Sequence, residues 1–466
     1  MRTLALIVAL AAWADLSAAG DWYRWRGPEQ NGVSREKNLP DSWSPDGENL
    51  LWTAPVGGMS NPIVMGGRIY TITRAGEREI IEEVDGQKVK SLVPSANTRE
   101  AYVCLDLETG KELWRHEENM TQTEIPFHRV GWSSMAGDPA SGRVYGLSAD
   151  RTLLCFDAAD GKVLWKRQLT EDMGLISAYG GRSSSPIIDE DQVIVSNVSF
   201  GWGKDSRGQH RLIAFDKLTG RVNWIGETGG RPVDIVYSTP VVTVIDDIRI
   251  VIANAGDGGI HAFKVRTGEK LWSIPISKRG LNASPLVDGT RVYVHHSEEN
   301  IDSTDLGGLL CFDVAGGKPK ELWRINKLEA GFPSGTIVDD RLYIPDNKGS
   351  VHCIDKMTGK VHWRRSIGTI GRPSLAFADG KLFASDANGR FNIIRPEDKK
   401  ATILSRVEIP DKYNREYALF GAPAISNGRI VIQAANIMYC VGRPGHKVES
   451  DPIPPQPAET DAQDST

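Results

Sequence analysis

A chain of 466 residues has room for two or three ordinary domains or one large repeat array. Its 55 Lys and Arg against 60 Asp and Glu leave a formal charge of −5. With no nucleic-acid-reading motif, that balance excludes a general nucleic-acid binder, which needs a cationic surface for phosphates.

The chain opens on MRTLALIVALAAWADLSAAG, one Arg, an apolar run from Leu4 to Ala14, then small residues. This is the pattern of a secretory leader, residues 1–19, with Ser17-Ala18-Ala19 as the cleavage site. The run is too short to cross ~30 Å of hydrocarbon, so it is not read as an anchor. No Cys follows it, so no lipid attachment is expected, and no other stretch could span a membrane. The mature chain is therefore expected to be periplasmic or secreted. Residues 20–47 form an extension with four aromatics, Trp22, Tyr23, Trp25 and Trp43, and are expected to pack on the main body.

From residue 48 onward one phrase recurs: YVCLDLETGKELW (102–114), LLCFDAADGKVLW (153–165), LIAFDKLTGRVNW (212–224), IHAFKVRTGEKLW (260–272), LLCFDVAGGKPKELW (309–323) and VHCIDKMTGKVHW (351–363). A decayed copy starts at Phe391 and a truncated one spans Met438 to Gly442. The anchors, from Cys104 to Cys440, recur about every 48 residues. The segments are short, β-branched and aromatic, and bounded by Gly and Asp, which argues strands and not helices. Each unit divides into four strands, A to D. The predicted fold is all-β, an eight-bladed β-propeller over 48–442. The eighth unit lacks a D strand, while ENLLWTAPV near the start is an orphan with the same Leu-Trp pair. Residues 48–56 are predicted to supply the missing strand and close the ring, which also removes its exposed edges. The tail from Arg443 to Thr466 is Pro-rich and polar, and is expected to be disordered.

Small-x-Asp-x-x-Thr-Gly-x-x-x-Trp resembles the tryptophan-docking motif of eight-bladed quinoprotein-type propellers. These include the PQQ-dependent alcohol dehydrogenases and the BamB lipoprotein of outer-membrane β-barrel assembly. Copies one, three and six carry it in full: Asp106, Thr109, Gly110, Trp114; Asp216, Thr219, Gly220, Trp224; Asp355, Thr358, Gly359, Trp363. Copy two has Asp160 for Thr, copy four Lys264 for Asp, and copy five inserts two residues before Trp323. The resemblance implies that Trp52, Trp114, Trp165, Trp224, Trp272, Trp323 and Trp363 dock between blades, each against the small residue of a neighbouring motif. Copy seven has no such Trp and is expected to make the loosest junction. All five Cys occupy the small-residue slot of five different copies. A disulfide needs Cα atoms within ~7 Å, so five buried free thiols are predicted.

Alternating strands put the A–B and C–D turns on one face and the D–A and B–C loops on the other. The B–C loops of blades 1, 3 and 5 are long, roughly 75–99, 198–210 and 297–307. Long loops on a rigid scaffold usually carry function, so this is the expected working face. The D–A segments rim the axis and offer His128, Arg129, Trp132, Tyr179, Arg182, Tyr237, Arg279, Asn282, Phe332, Arg372 and Phe420. Arginines among aromatics suit an anionic ligand; the bland alternative is that they plug the channel. His295, His296, Glu298, Glu299, Asp302 and Asp305 could hold a cation, but lack any calcium-loop spacing, so a solvated loop is the favoured reading and no metal is expected.

Two functions follow. The favoured one is an exported, non-catalytic scaffold, monomeric, that binds a protein, peptide or glycan partner and needs no cofactor. The alternative is a PQQ- and Ca²⁺-dependent alcohol or sugar dehydrogenase. The resemblance implies adjacent cysteines and a metal-binding carboxylate set for such an enzyme, and no two Cys are adjacent here.

Overall fold

The computed structural model describes residues 20–459 other than 77, 85–86, 94–97, 121–128, 177–181, 200–207, 235, 410–417, 446 and 456–458. Eight four-stranded antiparallel sheets follow one another as the blades of a propeller. Blade 4 shows the unit: Val241–Ile245 (A), Ile248–Asn254 (B), Gly259–Lys264 (C) and Lys270–Pro275 (D). Strands B and C are sandwiched between neighbouring blades and are buried on both sides, so they are apolar almost throughout. Strand D is outermost and alternates buried and exposed residues, the signature of a half-covered strand. Blade 8 consists of Ala424–Ser426, Arg429–Gln433 and Met438–Gly442, and takes Leu50–Ala54 as its D strand. Trp52 lies opposite Cys440 there, as Trp114 lies opposite Cys104 in blade 1.

Each junction is built the same way. The Asp of the motif accepts from the Thr N–H and hydroxyl, at 2.8 and 2.7 Å for Asp106 and Thr109, and so bends the C–D turn. The turn glycine then sits at positive φ, with no side chain. The indole of the preceding blade lies on that bare glycine. A Cβ on Gly110 would lie 2.4 Å from Trp52, on Gly161 2.6 Å from Trp114, and on Gly220 2.8 Å from Trp165. The indole N–H meanwhile donates to a carbonyl of the same turn. Ala158 O receives Trp114 Nε1, the Tyr70 hydroxyl and an Arg68 N–H, each at 3.1 Å. Lys217 O receives Trp165, Tyr145 and Arg143 in the same way. The small slot is thus explained differently from the expectation. Cys104 faces Tyr70 on strand B and Trp114 on strand D of its own sheet, where two large rings leave room for little else. The neighbouring blade contributes the glycine, not the small residue. All five cysteines are free and buried, and burial pushes their thiols up, Cys104 and Cys440 to about 12.

Blade 7 places Ser405 where the docking Trp belongs, opposite Ile393. The junction is filled from elsewhere in the chain, which the expectation did not include. Trp43 of the N-terminal extension, 3% exposed, is inserted there. Its ring packs edge-on against Phe391 of blade 7 and Tyr439 of blade 8, at 5.8 and 5.5 Å between centroids.

The extension also plugs the axis. Trp22 bridges Val64, the Tyr23 carbonyl accepts from Gly137, Gln30 exchanges hydrogen bonds with Val242, and Val33 bridges Phe377. Arg26, buried, donates to the Gly335 carbonyl. Residues 22–34 therefore line up on the inner strands of blades 1, 2, 4, 6 and 7. Asp21 accepts from Gly66 in the A–B turn of blade 1, so the plug enters from the A–B face. The first part of the tail is ordered, contrary to the expected disorder from Arg443. Glu449–Ser450 pairs with Glu36–Lys37, and Asp451 N–H donates to Arg35 O. The plug offers a strand edge that composition alone does not reveal.

Two glycines separate packing from conformation. Gly220→Ala meets both positive φ, about 1–2 kcal/mol, and overpacking against Trp165, about 1–3 kcal/mol more. Gly289, at φ 59° with open space where its Cβ would be, meets only the first. Chemical denaturation should show Gly220→Ala the more destabilised of the two. Trp43→Ala should cost about 3–5 kcal/mol, as for a core aromatic, and a loss under 1 kcal/mol would show that blade 7 closes without it.

Candidate functional site

The D–A segments enter their inner strands in one register. At the innermost position stand Asn61, Ser134, Ser185, Thr239, Ser284, Ser334, Ser374 and Ala422. These make a belt. The N–H of Asn61 donates to Ser134 Oγ at 3.2 Å, that of Ser134 to Ser185 at 3.0 Å, and that of Ser185 to Thr239 at 3.1 Å. Thr239 continues to Ser284, Ser284 to Ser334 and Ser334 to Ser374, at 2.9, 3.0 and 2.9 Å. Ala422 N–H closes the circuit on Asn61 Oδ1. Six steps of the belt end on a Ser or Thr hydroxyl; the closing step uses the Asn61 amide oxygen, and Ala422 has no hydroxyl to accept from Ser374. The sequence reading named the D–A segments but missed the belt; the Ser or Thr that recurs at the entry to most of the inner strands, followed by Pro in three of the segments, was the available signal.

Two residues earlier in each segment stands the rim: Met59, Trp132, Ser183, Tyr237, Asn282, Phe332, Arg372 and Phe420. Belt and rim together enclose a cavity of about 50 Å³, floored by Trp25 of the plug. Such a space holds a water or two. Trp132 packs on Phe420 at 4.3 Å and on Tyr237 at 5.5 Å. Arg182 lies over Trp132 and Tyr237, at 5.1 and 5.6 Å from the ring centres, and Arg372 lies 3.7 Å over Phe332. Neither arginine forms an ion pair among the described residues, and Arg182 Nε is buried without an acceptor. The Tyr237 hydroxyl is likewise buried and unpartnered, and burial pushes it up to about 12 against the pull of Arg182, Arg372 and Arg129.

The structure thus brings together Arg129, Trp132, Arg182, Tyr237, Asn282, Phe332, Arg372 and Phe420. Arg279 is separate: it is exposed and pairs with Asp234 at 2.8 Å. His128 and Tyr179 lie outside the described residues. Asn282 Oδ1 accepts weakly from the Tyr237 N–H, at 3.4 Å. The cation candidates disperse. His295 Nδ1 bonds the Ala330 carbonyl at 2.6 Å, Asp302 pairs with Arg324, Glu299 with Lys278 and Asp305 with Lys327. Successive strand residues His295 and His296 face opposite ways, and burial lowers both to about 4. Among the described residues no group of three or more His, Cys, Asp or Glu could hold a metal ion.

Two buried ionisable side chains missed by the sequence reading hold the rim in place. Glu100 accepts from Gly131 N–H at 2.7 Å and from Ala149 N–H at 3.2 Å. Arg151 donates to the Arg182 carbonyl at 2.8 Å and to the carbonyls of Ile176 and Ala149. Glu100 thereby fixes the segment that carries Arg129 and Trp132, and Arg151 fixes the one that carries Arg182.

Eight docked four-stranded blades, an axis sealed from one face and a cationic aromatic mouth on the other define an eight-bladed propeller of the quinoprotein type. The family model described as outer membrane protein assembly factor BamB matches residues 99–365 and 308–437, and the chain belongs to that family. It is 26% identical to the outer membrane protein assembly factor BamB of Burkholderia pseudomallei, over 82% of this chain and 84% of that one. It is 22% identical to the polyvinylalcohol dehydrogenase of a Sphingopyxis species, over 80% of this chain and 71% of that one. Among solved structures, a europium-containing methanol dehydrogenase matches with a TM-score of 0.66 at 12% identity, covering 91% of this chain and 98% of that one. BamB of Moraxella catarrhalis matches with a TM-score of 0.53 at 16% identity, covering 80% and 100%. These structural likenesses speak for the fold alone.

Glu100 gives a test. Burial raises it to about 8, above the ordinary 4.5. The folded state therefore holds its proton more tightly than the unfolded one, so this group's contribution to stability falls as pH rises from about 4.5 through 8. Glu100→Gln stays neutral and keeps an acceptor for Gly131. Thermal melts should show the parent losing ground to Glu100→Gln between pH 5 and 9. A constant difference would mean that Glu100 does not titrate in that range.

Proposed function

We propose that this chain is an exported, non-catalytic propeller that binds a protein partner at the D–A/B–C face, as a factor in outer-membrane protein assembly. One observation carries the reading: Arg182 and Arg372 lie over aromatic rings at the mouth of a channel closed behind them, with no carboxylate of the described residues to pair with. Arginine on a rigid aromatic base is the composition of binding hot spots, and its open donors suit a carboxylate side chain or chain end of the partner. Family membership and the BamB relatives support a role in assembly; the leader read at residues 1–19 supports export.

The dehydrogenase alternative is served less well. A quinone cofactor needs a pocket of roughly 300 Å³ or more, and the axial cavity is about 50 Å³. It also needs a metal beside its reactive carbonyl, and the only rim amide, Asn282, has no carboxylate beside it in the cavity lining. The five cysteines all lie in strand C of five different blades, none of them adjacent to another.

Photo-crosslinking residues at Phe332 and Phe420 should capture a component of the outer-membrane assembly machinery in the exporting cell. Arg182→Ala and Arg372→Ala should weaken that binding at least about tenfold, the scale of a hot-spot arginine, with the melting temperature nearly unchanged. Purified protein given PQQ and Ca²⁺ should not reduce an artificial acceptor with alcohols or aldoses. Steady reduction abolished by Arg372→Ala would replace this reading with the dehydrogenase.

A further inference from the structure

The far side of the ring holds an unexplained pair of anions. Asp21 and Glu36 are 7% and 1% exposed. Asp21 accepts from Gly66 N–H at 3.0 Å, in the A–B turn of blade 1. Glu36 accepts from Asn427 and Gly428 N–H, in the A–B turn of blade 8. The two carboxylates therefore tie the plug to both blades that meet at the ring closure. Neither forms an ion pair among the described residues. The cation that acts on Glu36, Arg429, is itself held by Glu108. Buried carboxylates without a countercharge cost several kcal/mol in general, and burial raises both of these, so a cation placed beside them would stabilise the fold.

The backbone of Gly20 runs against this pair. A Cβ placed on Gly20 would lie 3.0 Å from Glu36 Oε1 and 3.3 Å from Asn427 Oδ1. The recess lined by Gly20, Asp21 and Glu36 measures about 10 Å³, at the lower limit for one water. Gly20 is also the residue that follows the leader's cleavage site. Hydrolysis of the Ala19–Gly20 peptide by an exported-protein peptidase consumes one water. It leaves a carboxylate on Ala19 and an ammonium on Gly20. That ammonium has three donors; the Glu36 carboxylate and the Asn427 amide oxygen lie beside Gly20 as acceptors, and Asp21 lines the same recess.

We propose that the mature chain begins at Gly20 and that its α-ammonium docks on Glu36 and Asp21, locking the closure between blades 1 and 8. Removal of the leader then does more than release the protein: it creates the countercharge that completes the fold. A side chain at this position would crowd the Glu36 carboxylate, which glycine avoids.

The inference rests on the leader and is independent of what the mouth binds. The test compares the processed, exported protein with a form whose leader junction leaves Ala-Ala ahead of Gly20, each also carrying Glu36→Gln. Mass spectrometry of the processed protein should place its first residue at Gly20. At pH 7 the extended form should melt about 3 °C lower, and the gap should shrink to near zero in the Glu36→Gln background. The gap should also close above about pH 9, where the amine loses its proton. This sign follows because an amine whose pKa is raised by carboxylates stabilises the fold below its unfolded value and ceases to do so as pH rises through its folded value. Within the fold, burial raises Glu36 to about 7 when no ammonium faces it, with Asp21 opposing and Arg429 aiding ionisation. A different first residue, equal melting of the two forms at pH 7, or a gap that persists unchanged in Glu36→Gln would overturn the proposal.

Discussion

The structure depends on an indole lying on a bare glycine of the next blade. The sheet of one blade cannot bury both of its faces alone, so each unit gains stability only from its neighbours. The tryptophan makes that dependence specific. It covers the glycine with its ring and fastens the turn carbonyl with its N–H, joined at two junctions by a Tyr and an Arg from strand B on the same oxygen. The rest of the motif serves this contact. Asp and Thr bend the turn, Gly keeps it bare, and a Cys or Ala in strand C makes room for the rings on either side. Six of the seven docking indoles donate to such a carbonyl.

A closed ring allows no weak link, and the two irregular junctions are repaired from the same segment. Blade 8 borrows Leu50–Ala54 for its outer strand. Blade 7, with Ser405 in place of the indole, borrows Trp43. The preceding residues then cross the A–B face and fill the axis. One continuous piece, Asp21 to Ala54, thus closes the ring, fills its faulty junction and seals its channel from one side. What remains open is the opposite mouth, where the hydroxyl belt sets the radius and the rim residues two positions earlier set the chemistry. Glu100 and Arg151 show that the rim is held by hydrogen bonds from buried side chains and is not merely draped over the scaffold.

Much of this was legible in the sequence because the docking contact is encoded locally. Trp, Gly, Asp and the small slot recur at fixed spacing, so the blade count and the free thiols could be read directly. The closing strand was legible for the same reason, since Leu51-Trp52 repeats the phrase of the other D strands. What failed to show were contacts between residues far apart in the chain. Trp43 carries no motif, so its place between Phe391 and Tyr439 could not be inferred. The pairing of Glu449–Ser450 with Glu36–Lys37 depends on an edge that exists only once the plug is seated. Arg279 resembled its rim neighbours in sequence, yet Asp234 draws it to the surface. Loop residues are placed by such distant partners, which is why the mouth was located as a region and corrected residue by residue.

If the borrowed strand is a full member of the ring, its backbone must open only when the whole ring opens. Native-state hydrogen exchange resolves this at the level of single strands. The amides of Leu50–Ala54 that face Met438–Gly442 should exchange as slowly as those of Val222–Glu227 in blade 3, which is continuous in the chain. Exchange in Leu50–Ala54 that is orders of magnitude faster, with the other D strands still protected, would show a seven-bladed body with a loosely attached end and would contradict the account.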